Sequence, residues 1–205
     1  MIAVIDYGVG NLFSVEKAFA ALGADVRVTS DEAVIRAADK IVLPGVGAFG
    51  DCMKNLEASG LIPVLLDCVA KGKPLLGICV GLQILFDGSE ESPGVRGLGL
   101  IPGLVKKIQA PGLKVPHMGW NSLAIREPRQ KADLFAGLGE KPYVYFVHSY
   151  HAVPEDPAVI TSVTEYGEQL PASVAKGNVQ ATQFHPEKSG DVGLHILKNF
   201  IEAEA

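Results

Sequence analysis

The chain has 205 residues and a formal net charge of −5; 48% of its residues are hydrophobic and 20% are charged. This composition is typical of a globular protein with enough apolar material for a core. The negative charge, without any basic tract, argues against a function that requires binding to nucleic acid or to an anionic membrane.

Two features of the sequence predict a cytoplasmic location. Residues 1–6 (MIAVID) lack the basic region and cleavage site of a secretory signal, and the most apolar stretch, residues 74–86, is too short to span a bilayer. The three cysteines cannot all pair, which fits a reducing compartment.

The first half of the chain alternates short apolar runs with helical patterns. Strands are expected at residues 2–5, 24–28, 41–43 and 74–78. Helices are expected at residues 12–22, 31–38, 51–57 and 61–70. Uniformly apolar strands separated by helices indicate a mostly parallel sheet with helices on both faces.

The second half has closely spaced strand patterns with Gly, Pro and Asn between them, which predict antiparallel hairpins. Strands are expected at residues 143–147, 159–163, 172–175 and 180–184, and a closing helix at 191–202. Gly177-Asn178 is the best hairpin turn signal. We therefore predict a single flavodoxin-like α/β domain over residues 1–205, with antiparallel strands in its C-terminal half.

Residues 77–81 have the form G-x-C-x-G between a buried strand and a helical pattern, the thiol counterpart of the G-x-S-x-G nucleophile elbow. A sharp strand-to-helix turn crowds its neighbours, which explains the flanking glycines. A helix N-terminus would favour the Cys79 thiolate, and the Val80 N–H would face a developing oxyanion. The alternative is a buried structural cysteine, as expected for Cys52 and Cys68.

Residues 183–187 (QFHPE) offer a base and its orienting carboxylate. Pro186 disfavours helix, so His185 should be extended, and His185 and Glu187 should project to the same side. Glu187 would hold one imidazole nitrogen while the other faces Cys79. Taken alone, His-Pro-Glu would be only a surface turn.

Two patterns imitate cofactor sites. Residues 45–50 match the dinucleotide pattern G-x-G-x-x-G, but they follow the third strand, and Asp67, some twenty positions later, lies in a helical pattern. A metal site built from His148, His151 and His185 would lack the spacing of a known zinc motif. We therefore expect neither a dinucleotide nor a metal.

The glycine loop is better interpreted as part of the Cys79 site, because both follow strands that end at the same sheet edge. Its backbone N–H groups could complete an oxyanion hole. A peptide between Gly45 and Gly47 can rotate at low cost, which suggests a hole that is completed only on activation.

Three motifs are similar to the signatures of class I glutamine amidotransferases in order and separation, and the resemblance covers nearly the whole chain. They are residues 44–47 (PGVG), 77–83 (GICVGLQ) and 185–187 (HPE). Three stretches resemble, more specifically, the glutaminase subunits of imidazole glycerol phosphate synthases. They are residues 6–11 (DYGVGN), 116–121 (PHMGWN) and 185–189 (HPEKS).

The resemblance implies that Cys79 is the nucleophile, His185 the acid and base, and Glu187 its orienting carboxylate. The residues implied to bind glutamine or its oxyanion are Val46, Gly47, Val80, Gln83, Ser149 and Tyr150. The residues implied to face a (β/α)₈-barrel cyclase subunit are Asn11, Trp120 and Lys188. That partner would use the ammonia to make imidazole glycerol phosphate in histidine biosynthesis, in a heterodimer without a cofactor.

The departures from the family pattern are conservative: Val80 and Leu82 stand where related enzymes often carry Leu and Met. Three alternatives remain open. The chain could serve a different synthase, act as a cysteine hydrolase on another substrate, or be a binding module without thiol reactivity. Trp120 could also be a partly buried anchor of the fold.

Overall fold

The fold is described from a computed structural model that covers residues 1–126 and 133–203. The strands are β1 Ile2–Ile5, β2 Val26–Thr29, β3 Lys40–Gly45, β4 Leu75–Cys79, β5 Gly88–Ser89, β6 Gly103–Lys107, β7 His117–Ser122, β8 Ala124–Ile125, β9 Tyr143–His148, β10 Tyr150–Pro154, β11 Ile160–Glu165, β12 Gln169–Lys176 and β13 Val179–Thr182. The helices are α1 Leu12–Ala21, α2 Glu32–Ala37, α3 Phe49–Ala58, α4 Ile62–Ala70, α5 Val80–Gln83 and α6 Gly190–Glu202, with 3₁₀ turns at Pro157–Val159 and Pro186–Lys188.

The main sheet has eight strands in the order β2-β1-β3-β4-β13-β12-β11-β8, and its first five strands are parallel. This is the flavodoxin-like order 2-1-3-4-5, with β13 in the fifth position. The connection from β1 to β2 runs in the opposite direction to those that follow, so right-handed crossovers place α1 and the next helices on opposite faces. Accordingly, α1 packs against α6, and α2 packs against α4. The predicted mixed α/β fold is confirmed.

The antiparallel part of the sheet starts at the predicted hairpin. β12 and β13 pair antiparallel across Gly177-Asn178, and Gly177 has the positive φ of +59° that such a turn needs. β13 also pairs in parallel with β4, so this one strand joins the two halves of the sheet. The sequence predicted only antiparallel hairpins in this half of the chain and did not predict the parallel pairing of β13 with β4.

Two smaller sheets, β10-β6-β5 and β7-β9, stand beside the main one. Strands β5, β6, β7, β8 and β10 were not predicted from the sequence, and β2 begins at Val26 and not at Ala24. Among the described residues, no helix is long and apolar enough to cross a membrane.

Candidate active site

Cys79 lies at the end of β4, where the backbone takes φ 57° and ψ −111°. A positive φ is strained for a residue with a side chain and typical of a nucleophile elbow. Close backbone contacts explain the neighbouring glycines: a Cβ on Gly81 would lie 1.9 Å from the Leu43 carbonyl oxygen, and one on Gly77 would lie 2.8 Å from the Gly81 oxygen. The elbow therefore has the steric cause that the sequence suggested.

The helix that follows Cys79 is a single turn, Val80–Gln83. A single turn carries only a weak dipole, so this helix gives little help to a thiolate. A neighbouring cation can also stabilise a thiolate.

That cation is His185, which is 2% exposed and whose Nδ1 lies 2.8 Å from Glu187 Oε1. The expectation that His185 and Glu187 share one side of an extended strand is wrong. Pro186–Lys188 form a 3₁₀ turn, since a proline at the first position of the turn lacks the N–H that would be left unpaired there. The turn folds the Glu187 carboxylate back onto the ring.

Burial disfavours the charged imidazole, but hydrogen bonds and charge interactions with Cys79 and Glu187 outweigh it and raise the pKa of His185 to about 9. The Glu187 side chain is 1% exposed, and its Oε2 has no hydrogen-bond partner among the described residues. A buried carboxylate of this kind stabilises the imidazolium that a thiolate requires.

Gln183 is a site residue that the sequence analysis missed. It is fully buried; its Nε2 points to Cys79 Sγ at 3.9 Å, and its Oε1 accepts a hydrogen bond from Gln83 Nε2 at 3.0 Å. Gln83 Nε2 also donates to the Tyr150 carbonyl at 3.0 Å. The period-two relation of Gln183 to His185 was the available signal, because residues two apart in extended chain share a side.

The glycine loop lies beside Cys79, since Gly45 pairs with Cys79 in the β3–β4 register. Two buried side chains donate hydrogen bonds to the backbone of this loop. The Tyr7 hydroxyl donates to the Pro44 carbonyl at 2.6 Å, and the Cys52 thiol donates to the Val46 carbonyl at 3.3 Å. Burial raises the pKa of both Tyr7 and Cys52, so both remain protonated donors.

The first N–H groups of α3, which a dinucleotide site would use, are already hydrogen-bonded to side chains. The N–H of Phe49 donates to the Glu91 carboxylate at 2.8 Å, and the N–H of Gly50 donates to the Ser92 hydroxyl at 3.0 Å. An acidic side chain therefore occupies the start of α3, where a dinucleotide site needs free N–H groups.

A cavity of about 430 Å³ opens in front of the thiol. It brings together two of the predicted catalytic residues, all six predicted substrate-binding residues and one predicted partner-facing residue. These are Cys79 and His185, then Val46, Gly47, Val80, Gln83, Ser149 and Tyr150, and finally Lys188.

Lys188 connects this cavity with the predicted partner-facing surface. Trp120 is 55% exposed on β7, and its ring approaches the position of Gly190, which follows Lys188 by two residues. Asn11 precedes α1, which contacts the 3₁₀ turn that carries Lys188. Trp120 is thus largely exposed and is not a core residue.

Comparison with known proteins agrees with this geometry. The family model for Glutamine amidotransferase class-I matches residues 3–203. Two solved structures show the same fold with a TM-score of 0.75 each: a glutamine amidotransferase, 22% identical over 98% of this chain and 99% of that chain, and PurLQS from Thermotoga maritima, 20% identical over 98% and 96%.

Two curated proteins are much closer in sequence, and both are named imidazole glycerol phosphate synthase subunit HisH. That of Methanothermobacter thermautotrophicus is 55% identical and that of Syntrophotalea carbinolica 53% identical, each over 98% of both chains. The chain therefore belongs to the class I glutamine amidotransferases and, within them, to the family of these HisH subunits.

Proposed function

We propose that this chain hydrolyses glutamine to glutamate and ammonia through a thioester on Cys79, and that it passes the ammonia to a cyclase subunit that makes imidazole glycerol phosphate in histidine biosynthesis. The observation that carries the proposal is that Cys79 and His185 line one cavity, while Glu187 is hydrogen-bonded to the far nitrogen of the His185 ring. The names of the close relatives support the same activity.

In the first half of the reaction, the Cys79 thiolate attacks the side-chain amide carbon of glutamine, and the carbonyl electrons move onto oxygen. N–H groups near Val80 and in the Val46–Gly47 segment stabilise this oxyanion. The carbon–nitrogen bond then breaks, and His185 gives its proton to the departing ammonia. Glu187 stabilises the imidazolium and fixes the orientation of the His185 ring. The second nitrogen of that ring is then free to face the sulfur.

In the second half, neutral His185 takes a proton from water, and the hydroxide attacks the thioester carbon. The carbon–sulfur bond breaks, glutamate leaves, and the proton on His185 again balances the Cys79 thiolate. Each turnover consumes one glutamine and one water and yields one glutamate and one ammonia.

The partner would dock on the surface around Trp120 and Lys188, forming a heterodimer in the cytoplasm. Met118, in the same strand as Trp120, is 62% exposed, and such apolar side chains are typical of an interface core. Lys188 lies both at this surface and at the cavity, so docking could act directly on the site.

An uncoupled glutaminase would waste glutamine, so we expect the partner and its ligand to activate the chain allosterically. The assembled synthase would then act as a lyase and the isolated chain as a hydrolase.

The test measures glutamate release by the chain alone, with the barrel cyclase, and with the cyclase and its ligand. We expect low activity alone and higher activity in the complex, and loss of activity in Cys79→Ala. The matched control is Cys68→Ala, because Cys68 is a buried cysteine of α4 that does not line the cavity. Activity retained in Cys79→Ala would refute the nucleophile, and full activity of the isolated chain would refute the gating.

A further inference from the structure

At the wall of the cavity, which His148 helps to line, three side chains form a continuous line of hydrogen bonds that the proposed mechanism does not use. Asn121 Nδ2 lies 3.2 Å from His117 Nε2, and His117 Nδ1 lies 3.0 Å from His148 Nε2. His148 Nδ1 lies 2.8 Å from the carbonyl oxygen of Tyr150. We refer to Asn121, His117, His148 and the Tyr150 carbonyl as the histidine chain.

The partners at its two ends fix the direction of every hydrogen bond. The Tyr150 carbonyl can only accept, so His148 carries its proton on Nδ1, and its Nε2 accepts when the ring is neutral. At the other end, Asn121 Oδ1 accepts the N–H of Ser122 at 2.8 Å, and Nδ2 donates to the Glu165 carbonyl at 2.9 Å. The amide orientation of Asn121 is therefore set, and its Nδ2 donates to His117.

It follows that His117 and His148 are both neutral and both protonated on Nδ1. An additional proton on either ring would place two N–H groups face to face in one of the contacts. The surroundings agree: His117 is stacked between Phe146 and Tyr166, with ring centroids 4.6 and 4.1 Å away. Burial lowers the pKa of His117 to about 4 and that of His148 to about 3.

The histidine chain ends at the Tyr150 carbonyl, which also belongs to the hydrogen bonds of the candidate active site. The Tyr150 carbonyl also accepts from Gln83, whose other amide hydrogen goes to Gln183, and Gln183 in turn points to the Cys79 sulfur. With both amide hydrogens donated, Gln83, which lines the cavity, can offer a ligand only its acceptor Oε1. The position of the Tyr150 carbonyl thus determines how Gln83 faces the cavity.

We propose that Asn121 and His117 are positioning residues for glutamine binding: acting through His148, they hold the Tyr150 carbonyl, and with it Gln83 and the Ser149–Tyr150 segment, in the arrangement that accepts the substrate. The inference rests on the proposed glutaminase function. Asn121 follows Trp120 in β7, so the histidine chain also links the partner-facing strand to the substrate pocket.

A first experiment tests the histidine chain itself and needs neither substrate nor partner. In the ¹⁵N NMR spectrum of the imidazole rings, His117 and His148 should both be neutral at pH 7 and protonated on Nδ1. Protonation on Nε2, or a positive charge on either ring at this pH, would overturn the proposal.

A second experiment measures glutamine binding by calorimetry in a Cys79→Ala background, which blocks turnover. Asn121→Leu and His117→Leu should each raise Kd about tenfold, the effect of losing one hydrogen bond that orders a binding group. His117→Asn should bind nearly normally, because the asparagine Nδ2 can replace imidazole Nδ1 as the donor to His148. The matched control is Asn199→Leu, a half-buried asparagine whose Nδ2 likewise makes two donor contacts, to Leu134 and Ala136.

The outcomes separate the two proposals. Absence of glutamine binding in the Cys79→Ala parent would refute the proposed function and, with it, the role of the histidine chain. If the parent binds glutamine and Asn121→Leu has the same Kd as Asn199→Leu, the glutaminase function stands and the positioning role is overturned. Equal Kd values for His117→Leu and His117→Asn would also overturn the positioning role.

Discussion

Lowering the pH from 7 to 5 should destabilise the folded chain mainly through His117 and His148. An unfolded histidine has a pKa near 6.5, whereas the folded values are about 4 and about 3. Below pH 6.5 the unfolded chain therefore binds more protons, and stability is lost as the pH falls. At pH 5 each residue should cost about 2 kcal/mol, roughly 4 kcal/mol together, by the linkage relation.

Two other histidines modify this value. Burial also lowers the pKa of His151, which adds to the loss of stability as the pH falls. The pKa of His185 is raised to about 9, so its contribution is complete below the unfolded pKa near 6.5 and is lost progressively as the pH rises to 9; lowering the pH from 7 to 5 therefore regains about 1 kcal/mol. The expected net loss is therefore about 3 kcal/mol, a large part of the stability of an ordinary domain.

Urea unfolding at pH 7, 6 and 5 measures this loss, and few carboxylates titrate in that range. His117→Asn should reduce the loss by about 2 kcal/mol, because it removes one of the two titrations. The control is a substitution of His195. Its ring nitrogen is hydrogen-bonded to the Ala136 carbonyl, and it is not part of the histidine chain. Equal stability at pH 7 and 5, or an unchanged loss in His117→Asn, would refute the reasoning.

Three further predictions concern the site and the surface. Glu187→Gln keeps the shape of the side chain but removes its charge, so the pKa of His185 should fall below 9 in an NMR titration and kcat should fall at least about a hundredfold; an unchanged kcat would contradict the orienting role. Gly81→Ala should lower the free energy of unfolding by at least about 3 kcal/mol, because its Cβ would meet the Leu43 carbonyl, whereas Gly139→Ala, in open space, should change it by less than about 1 kcal/mol; similar values for both would refute the steric argument. Trp120→Ala should weaken binding of the cyclase by at least about tenfold in a titration and leave urea unfolding nearly unchanged, because the side chain is exposed; unchanged affinity would exclude Trp120 from the interface.

The sequence predicted those features whose cause is local. The close approach of Gly81 to the Leu43 carbonyl is a long-range contact, but the apolar runs of β1, β3 and β4 and the crowding of Gly77 by Gly81 depend on near neighbours, so pattern and steric reasoning sufficed for them. The Gly177-Asn178 turn belongs to the same class, since a two-residue turn specifies its own hairpin.

The features that the sequence did not predict depend on contacts between distant segments. His117 meets His148 only because β7 and β9 pair in a register that places the two residues opposite each other. In strand β7 (HMGWNS) only Met118 and Trp120 are apolar, with Gly119 between them, and so short an alternation does not by itself predict a strand. The turn at Pro186 was missed for a different reason: proline restricts the residue before it, but it also starts a 3₁₀ turn well, and tertiary packing decides between the two.

The central claim is that Cys79 is the nucleophile that attacks glutamine, and covalent labelling tests it most directly. The chain, in complex with its cyclase, is treated with an electrophilic glutamine analogue, and the modified cysteine is located by mass spectrometry of peptides. We expect one equivalent on Cys79, protection by excess glutamine, loss of glutamate release in step with labelling, and no modification of buried Cys52 or Cys68. Loss of activity without modification of Cys79, or full activity with Cys79 modified, would contradict the account.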